Sequence, residues 1–378
     1  MRIPLFKIYW DEEDLNAAKE IIRSGMHWCL GRQIEEFEKR ISEYVGAKYC
    51  ITFNSGGSAL HALMLAYGFK PGNEIIVPSF TFIATAYAPL YVGAKPVFAD
   101  IEEETLGLDP EDVKEKITKR TKAIVPIHYG GLPCKIKELK DIAEDYNLIL
   151  IEDAAEAFGA KIKDRYVGTF GDAAIFSFCQ NKIFTTSEGG CVVTDDRKIY
   201  ERLKLIVSYG RVTEGDYFTS SSNIDYVTIG YNWRLSTILA TLGLSQLKKV
   251  GKLIEMRRKN AKYLNKELRK IDGIRPPTEP DNYFAVYQLY TIRVINGSER
   301  RNSLMEFLTK KGISTKIYFE PAHKYSIFKQ LGYANVNLPI TENISSQVLT
   351  LPMYPHMTKE ELNYIISSVR EFFEEEQI

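Results

Sequence analysis

The sequence has few cysteines, the residues that stabilise small folds through disulfides or bound metal. Its five cysteines form no CxxC pair and are odd in number; they are Cys29, Cys50, Cys134, Cys179 and Cys191. This pattern argues against a disulfide framework and against a zinc ribbon or finger. A chain of 378 residues can bury a large core without such staples. The cysteine pattern fits a reducing setting, and we expect a cytoplasmic protein.

An excess of charge of one sign is also missing. Forty-nine Lys and Arg residues balance forty-nine Asp and Glu residues, so the formal net charge at pH 7 is zero. Such a chain lacks the basic excess that drives binding to nucleic acid or to an anionic membrane. No apolar run approaches the ~20 residues of a membrane span. The start, MRIPLFKIYWDEED, meets acidic residues too early for a signal peptide. We therefore expect neither nucleic acid nor membrane as a partner.

Several motifs that would assign a chemistry directly are absent. There is no GxGxxG or GxxxxGK[ST] motif, so dinucleotide and Walker-type nucleotide binding lose their main support. HExxH and GxSxG are missing too, and the five histidines are widely scattered. A metal site therefore has no support in the sequence, and we predict none.

Strand-like and helix-like segments alternate along the first part of the chain. Short apolar runs at 48–53, 73–78 and 96–101 are typical of strands, and those at 123–130 and 147–153 of strands buried on both faces. Between the last two lies a segment whose apolar residues recur at helical spacing. This alternation predicts an α/β fold, with a mostly parallel sheet flanked by helices.

The order changes further along the chain. Strand-like runs at 172–178 and 189–196 have no long helix between them, which predicts a part of the sheet that departs from strand–helix–strand order. A long helical region is expected from about Ser236 through Leu268. Later segments predict a smaller C-terminal α+β domain, which we place at 252–378, after a large domain at 1–251. Its expected elements are a strand at 287–295, a helix at 303–312, a strand at 312–319 and a helix that begins with the Thr358–Glu361 capping box.

Two segments carry polar groups to strand ends. NSGGSAL (54–60) joins a strand to a helix, where backbone amides can face an anion; alternatively it is an ordinary Gly-rich turn. In IEDAAEAFGA (151–160), Asp153 lies at the carboxyl end of a buried strand, where open α/β sheets bind ligands. Its alternative role is a helix N-cap.

A third segment, FSFCQNKIFTTSEGG (176–190), contains Ser177 and Lys182. A partly desolvated lysine can lose its proton and form a Schiff base, although a single loop lysine is more often simply solvated. The order of the three segments favours the functional interpretation. An anion cradle, an acid for the ring nitrogen and a lysine for the aldehyde are what pyridoxal phosphate (PLP) requires.

The chain resembles the DegT/StrS family of PLP-dependent sugar aminotransferases, which have the aspartate-aminotransferase (type I) fold. The resemblance covers nearly the whole length, and it is carried by NSGGSALHALMLAYG, GNEIIVPSFTFIATAYA, GAKPVFADI, IEDAAEAFGA, VGTFGDAAIFSF, NK, TTSEGGCVVTDD and GYNWRLSTILATLGLSQL. The EAFG form, with NK before the TTxEGG stretch, is most similar to perosamine-synthase-type enzymes, which aminate a nucleotide-linked 4-keto-6-deoxy sugar.

The resemblance implies roles for individual residues. Lys182 forms the internal aldimine, and Asp153 pairs with the pyridine nitrogen. Glu156, where relatives often have Gln or His, is expected at the cofactor and facing the sugar. The ring of Phe82 stacks on the cofactor, and its phosphate is held by Gly57, Ser58 and Ser177. Asn232 reaches the phosphate bound by the other subunit, and His323 lies near the sugar.

The family also implies a reaction. Glutamate gives its amino group to PLP, and the pyridoxamine form then aminates a keto group of the nucleotide-linked sugar, in a homodimer with shared sites. Two alternatives stay open: a PLP-dependent lyase or dehydratase on the same fold, and a regulator without catalysis. The dehydratase branch replaces the lysine by His, and a regulator is expected to lose the lysine or the acid. This chain keeps both Lys182 and Asp153.

Overall fold

The computed structural model describes residues 1–213 and 223–375. Helix α1 (Glu12–Arg23) starts at a capping box, in which the side chains of Asp11 and Asp14 each accept a hydrogen bond from the other's amide. Helix α2 (Arg32–Val45) ends at Gly46, whose φ of 83° is a left-handed conformation that glycine adopts without strain. The remaining helices are α3 (Gly56–Ala66), α4 (Ile83–Tyr91), α5 (Pro110–Lys116), α6 (Ile136–Asp145), α7 (Arg197–Val207), α8 (Thr237–Leu247), α9 (Val250–Leu268), α10 (Ser298–Lys310), α11 (Ser326–Phe328), α12 (Pro339–Gln347) and α13 (Lys359–Glu375).

Strands alternate with these helices in the first part of the chain as the sequence predicts, but the run at 123–130 is a strand only as far as Ile124. They are β1 (Tyr49–Phe53), β2 (Glu74–Pro78), β3 (Lys95–Ala99), β4 (Thr121–Ile124), β5 (Ile149–Asp153), β6 (Lys161–Ile162), β7 (Arg165–Tyr166), β8 (Ala173–Ser177), β9 (Gly190–Thr194), β10 (Arg211–Thr213), β11 (Ile224–Tyr226), β12 (Ile274–Arg275), β13 (Tyr283–Phe284), β14 (Tyr290–Val294) and β15 (Val348–Leu351).

The main sheet has seven strands in the order β1-β9-β8-β5-β4-β2-β3. Strand β9 pairs antiparallel with both of its neighbours, and the other strands all run in one direction. The expected departure from strand–helix–strand order is therefore confirmed at β8 and β9. The prediction of an α/β fold with a mostly parallel sheet is confirmed as well.

Helices cover both faces of this sheet. Helices α3, α4 and α7 pack on one face, and α2, α5, α6 and α8 cover the other. Alternate residues of one strand face opposite layers: Ile51 and Phe53 of β1 face α3, whereas Cys50 faces α2. Burial on both faces explains why these strands are almost continuously apolar. Within the described residues, no helix combines the length and the apolar character needed to cross a bilayer.

A second, antiparallel sheet lies in the C-terminal part of the chain, with the order β12-β14-β15. It packs against α9, α10 and α13 around one core cluster. The domain boundary placed between residues 251 and 252 falls in the first turn of α9, and residues 376–378 of the proposed small domain lie outside the described part. The capping box predicted for the last helix is confirmed, because the Glu361 amide donates to Thr358 Oγ1 and the Thr358 amide to Glu361 Oε2.

The prediction of a strand at 312–319 is wrong. This segment makes only isolated bridges, from Ile313 to Ile3 and from Lys316 to Thr350. It crosses from the N-terminal arm to β15 instead of running along one partner, so its alternating pattern does not become a ladder. The helical region expected from Ser236 to Leu268 is present as two helices, α8 and α9, which are separated at Lys248 and Lys249.

Candidate active site

The predicted site residues gather along one edge of the main sheet. Because β1, β2, β5 and β8 run in the same direction, the loops that follow them lie at their common carboxyl edge. Gly57 and Ser58 lie in the first turn of α3, directly after the β1 loop, and Phe82 lies at the end of the β2 loop. Strand β5 ends at Asp153, and β8 ends at Ser177, five residues before Lys182. This is the edge at which open α/β sheets bind ligands.

The turn between β1 and α3 is the predicted anion cradle. Ser55 caps α3, because its Oγ accepts a hydrogen bond from the Ser58 amide at 3.1 Å. Amides of the first helical turn have no partner within the helix, and their dipoles favour a negative charge. Gly56 lies so close to Ser177 that an added Cβ would be 3.1 Å from the Ser177 Cβ. The absence of a side chain at Gly56 therefore brings the Ser177 hydroxyl to the helix N-terminus.

Asp153 is buried at the end of β5. It is 3% exposed, and its Oδ2 accepts a hydrogen bond from Thr85 Oγ1 at 2.6 Å. Its Oδ1 accepts a longer one, 3.2 Å, from the Ala155 amide. Burial raises the pKa of this carboxyl, while the hydrogen bonds and the nearby Lys182 oppose the rise. Residues 154–160 form turns and no helix, so the alternative prediction that Asp153 is a helix N-cap is wrong.

The neighbouring acid, Glu152, faces the opposite layer and has a different environment. It accepts hydrogen bonds from the amides of Phe170 and Gly171 and lies 2.9 Å from His128 Nε2. These contacts saturate Glu152 and give it a structural role. Because side chains alternate along β5, Glu152 faces the opposite layer, and of these two acids only Asp153 is placed to meet a ligand at the sheet edge.

Lys182 contacts the predicted residue Glu156. Its Nζ lies 3.6 Å from Glu156 Oε1, and the lysine side chain is mostly buried. Glu156 is buried too, and its Oε2 accepts a hydrogen bond from the Gly130 amide at 2.9 Å. The carboxylate therefore connects the catalytic lysine candidate to the loop after β4.

Phe82 stands at the entrance of α4, directly after the β2 loop. Its ring is 60% exposed, which is unusual for an aromatic residue beside a deep polar site, and its nearest aromatic neighbour is Phe319 at 6.4 Å between ring centroids. The exposed ring lies one helical turn before Thr85, which contacts Asp153. A flat ligand held by Asp153 would find an available stacking surface there.

His323 is placed more deeply than the other predicted site residues. It is 1% exposed, and its Nδ1 lies 2.7 Å from Ser79 Oγ and its Nε2 3.2 Å from Glu342 Oε1. Burial lowers the pKa of His323, which favours the neutral ring. This ring joins the β2 loop to α12. Contact between His323 and a substrate stays a prediction.

Asn232 is exposed and lies in an extended segment beside α7. It forms a bridge with Ser208, and the next residue, Trp233, accepts a hydrogen bond from the Asn54 amide at 2.7 Å. The segment thus borders the anion cradle of its own chain. Its expected contact with a second subunit stays a prediction.

Two site residues escaped sequence analysis. Thr85 holds Asp153, and Gln288 Nε2 donates to the carbonyl of Asn181, the residue before Lys182. Gln288 lies more than a hundred residues beyond Lys182, in the C-terminal part of the chain, so spacing gave no signal. For Thr85 the only available signal was its position, one turn after Phe82 and Thr81 in a conspicuous motif.

Comparison with known proteins agrees with this geometry. The sequence profile of the DegT/DnrJ/EryC1/StrS aminotransferase family matches residues 9–370. The chain belongs to this family. The predicted resemblance and the aspartate-aminotransferase-like fold are confirmed. Aminotransferases of the DegT/DnrJ/EryC1/StrS family depend on PLP, so the enzyme class and cofactor predictions are confirmed too.

Three relatives of this DegT-family chain match over almost their entire length. GDP-perosamine synthase of Escherichia coli O157:H7 is 34% identical over 371 residues, which are 98% of each chain. PseC of Helicobacter pylori, an aminotransferase involved in the biosynthesis of pseudoaminic acid, has a TM-score of 0.94 at 30% identity and covers 99% of this chain and 100% of its own. Spr1654 of Streptococcus pneumoniae, solved in PMP and PLP forms, has TM-scores of 0.94 and 0.92 at 26% identity, over 99% of this chain and 100% and 99% of its own.

The residues at the sheet edge fit PLP. The first turn of α3, together with the Ser177 hydroxyl, offers hydrogen-bond donors for a phosphate. Asp153 offers a carboxylate for a protonated ring nitrogen, and Lys182 an amine for an aldehyde. A Cβ on residue 56 would obstruct the close approach of Gly56 and Ser177. The DegT-family site therefore has a group for each functional part of the cofactor.

Proposed function

We propose that this chain transfers an amino group from glutamate to a keto group of a nucleotide-linked deoxy sugar. The observation that carries the proposal is the shared sheet edge, where the anion cradle, Asp153 and the Lys182–Glu156 pair lie together. The similarity to a GDP-perosamine synthase supports a nucleotide-linked 4-keto-6-deoxy sugar as the acceptor. Amino donor and acceptor would use the same site in turn, which gives ping-pong kinetics.

Each of the chain's own residues has a definite task in this proposal. Gly57, Ser58 and Ser177 hold the phosphate at the α3 N-terminus, and Phe82 covers one face of the ring. Asp153 keeps a proton on the ring nitrogen. When bound, PLP would supply an aldehyde carbon that takes up the amino group in exchange for its oxygen, and a conjugated ring that withdraws electrons from the reacting carbon.

Lys182 Nζ would move the proton between the substrate carbon that loses or gains the amino group and the cofactor carbon of the aldehyde group. Its contact with Glu156 holds the Nζ atom at the sheet edge, while the Gly130 amide fixes Glu156. A carboxylate oxygen can accept more than one hydrogen bond, so Glu156 would also accept one from a sugar hydroxyl. His323 joins the β2 loop to α12 on the side where we place the sugar.

We also propose that the protein works as a homodimer with shared sites. Four large side chains before Asn232 are solvent-exposed in the single chain, which supports an interface there; they are Ile224, Tyr226, Val227 and Ile229. The last of them is 85% exposed. In a two-fold dimer the same patch meets itself, so Asn232 of each subunit can approach the partner's phosphate.

The two half-reactions test the proposal separately. PLP-loaded protein is mixed first with glutamate alone, and conversion to the pyridoxamine form is followed by absorbance. A GDP-linked 4-keto-6-deoxyhexose is then added, and the aminated nucleotide sugar is identified by mass. Lys182→Ala should abolish both steps, and Lys70→Ala, which changes an exposed lysine, should leave them intact. Failure of glutamate to convert the cofactor would refute the donor, and failure of the second step alone would refute this acceptor.

A further inference from the structure

Two buried threonines precede Asp153 in a hydrogen-bonded chain. Thr81 lies in the β2 loop, and Thr85 lies in the first turn of α4; they are 0% and 1% exposed. Thr81 Oγ1 is 2.8 Å from Thr85 Oγ1, and Thr85 Oγ1 is 2.6 Å from Asp153 Oδ2. Neither threonine was among the predicted site residues.

The Asp153 carboxylate determines in which direction the hydroxyl groups of Thr81 and Thr85 donate their hydrogen bonds. An ionised carboxylate only accepts hydrogen bonds, so the single hydroxyl proton of Thr85 must point to Asp153. The Thr85 oxygen then has only lone pairs left for its other neighbour, and Thr81 must donate to it. Both protons therefore point toward Asp153, and each bond polarises the next.

This arrangement offsets the cost of a buried charge. Burial disfavours the ionised form of Asp153, and hydrogen bonds to the charged form favour it. The pKa of Asp153 is raised by burial and lowered again by the Thr85 hydroxyl and the Ala155 amide. Lys182 and His128 are the neighbouring titratable groups that also act on this carboxyl. Helix α4, which supplies Thr85, contains no Asp, Glu, Lys, Arg or His.

We propose that Thr85, oriented by Thr81, is a positioning residue that keeps the Asp153 carboxylate ionised and turned toward the ring nitrogen of the cofactor. The part that concerns the ring nitrogen rests on the proposed function. Thr85 lies in the same helical turn that begins after Phe82, so its bond to Asp153 also fixes the distance between the stacking ring and the acid. One hydroxyl thereby aligns two of the groups that face the cofactor.

The first test measures Asp153 itself in the full-length chain without added cofactor. Aspartate carboxyl carbons are labelled with ¹³C and titrated by NMR, and the Asp153 signal is assigned by its loss in Asp153→Asn. Thr85→Val keeps the shape but removes the hydroxyl, and it should lower the acid dissociation constant of Asp153 about tenfold, the effect of one hydrogen bond to a charged group. Thr85→Ser should restore the wild-type constant.

Two further variants make the result specific. Thr81→Val should shift the titration of Asp153 in the same direction by a smaller factor, because it only weakens the Thr85 donor. Thr241→Val, on α8, removes a hydroxyl that donates to the Thr237 carbonyl and should leave Asp153 unchanged. If Thr85→Val titrates like the wild type, or if Thr85→Ser titrates like Thr85→Val, the proposal is overturned.

The second test separates this proposal from the function on which it partly rests. In PLP-loaded protein, Thr85→Val should slow the glutamate half-reaction about tenfold relative to Thr85→Ser. If Asp153→Asn reacts as fast as the wild type although Thr85→Val shifts the titration, the assigned function of Asp153 is wrong and the role of Thr85 toward the carboxyl stands. If Asp153→Asn is slow and the titration does not shift, only the role of Thr85 is wrong.

Discussion

Glu156 Oε1 lies 3.6 Å from the Nζ of Lys182, and both side chains are largely buried at the carboxyl edge of the main sheet. A carboxylate at this position differs from the Gln or His that the family resemblance leads us to expect. The Gly130 amide holds the other carboxylate oxygen, so the contact has little freedom. The lysine that we propose for both half-reactions thus contacts the same carboxylate that we propose for the sugar.

Replacement of Glu156 should therefore affect both halves of the reaction. We expect Glu156→Ala to slow the glutamate half-reaction about tenfold, because Lys182 loses a charged partner. The sugar half-reaction should slow further, because a polar contact to the substrate is lost as well. Stopped-flow absorbance measures each half separately. Glu144→Ala, on the exposed end of α6, is the matched control, and an unchanged glutamate half-reaction in Glu156→Ala would show that the contact with Lys182 is not used.

Replacement of Asp153 should damage catalysis without loss of the cofactor. A neutral amide in place of the Asp153 carboxylate cannot stabilise a positive charge on the ring nitrogen. We therefore expect Asp153→Asn to slow both half-reactions on the order of a hundredfold. Asp145→Asn changes an exposed acid on α6 and serves as the control. Near wild-type rates in Asp153→Asn would mean that the carboxyl only holds the turn at Ala155.

Most of the candidate site could be predicted from the sequence because its residues lie at strand ends. The runs that became β1, β5 and β8 are largely apolar, and the candidate functional groups lie at the last residue of a strand or within five residues after it. Helix α4 was not predicted, because IATAYAPLY is apolar or small throughout and shows no polar face at helical spacing. With α4 unassigned, the one-turn separation of Thr81 and Thr85 could not be seen.

Contacts between segments that are distant in the sequence could not be predicted from it. Ser79 meets His323 across 244 positions, and Gln288 meets the Asn181 carbonyl across 107. Such pairs depend on how the C-terminal sheet packs against the large sheet, and local periodicity does not encode that packing. The strand expected at 312–319 failed for the same reason, since its partners, Ile3 and Thr350, come from opposite ends of the chain.

A mixed-dimer experiment tests the sharing of Asn232. Lys182→Ala is unfolded and refolded together with Asn232→Asp, whose added charge should repel the phosphate. In a mixed two-fold dimer with shared sites, one site carries both lesions and the other carries neither. Half the dimers are mixed after random reassortment, so about a quarter of the wild-type transamination should return.

The same mixture gives a different result if Asn232 serves its own subunit. Each site of a mixed dimer then carries one lesion, and no activity returns above that of the separate variants. Mixed dimers are verified in a separate sample by giving the two variants different tags and isolating the dimers that carry both; these heterodimers should show about half of the wild-type activity, because one of their two sites is intact. Verified heterodimers without recovery would contradict the shared site.

Glu38, which lies away from the candidate active site, should make the stability of the fold depend on pH. Burial raises the pKa of Glu38 from 4.5 to about 7, although the amide and hydroxyl of Thr52 donate to it. The folded protein therefore binds this proton more tightly than the unfolded chain does. The resulting stabilisation is complete below about pH 4.5 and is lost as the pH rises through about 7.

Urea unfolding of the wild type and of Glu38→Gln measures this contribution. The difference between their free energies of unfolding should change by about 1 to 3 kcal/mol between pH 5 and pH 8, in favour of the wild type at the lower pH. Glu20→Gln, which changes an exposed glutamate on α1, should run parallel to the wild type. A constant difference between Glu38→Gln and the wild type would contradict the assignment.

The central claim is that Lys182 is the residue that binds PLP covalently. The most direct measurement is borohydride reduction of the PLP-saturated protein, followed by digestion and mass spectrometry. The account predicts visible absorbance before reduction and, after it, one modified peptide that includes Ser177 through Lys182, with the cofactor on Lys182 Nζ. Modification of a different lysine, or a PLP-saturated protein without visible absorbance, would contradict it.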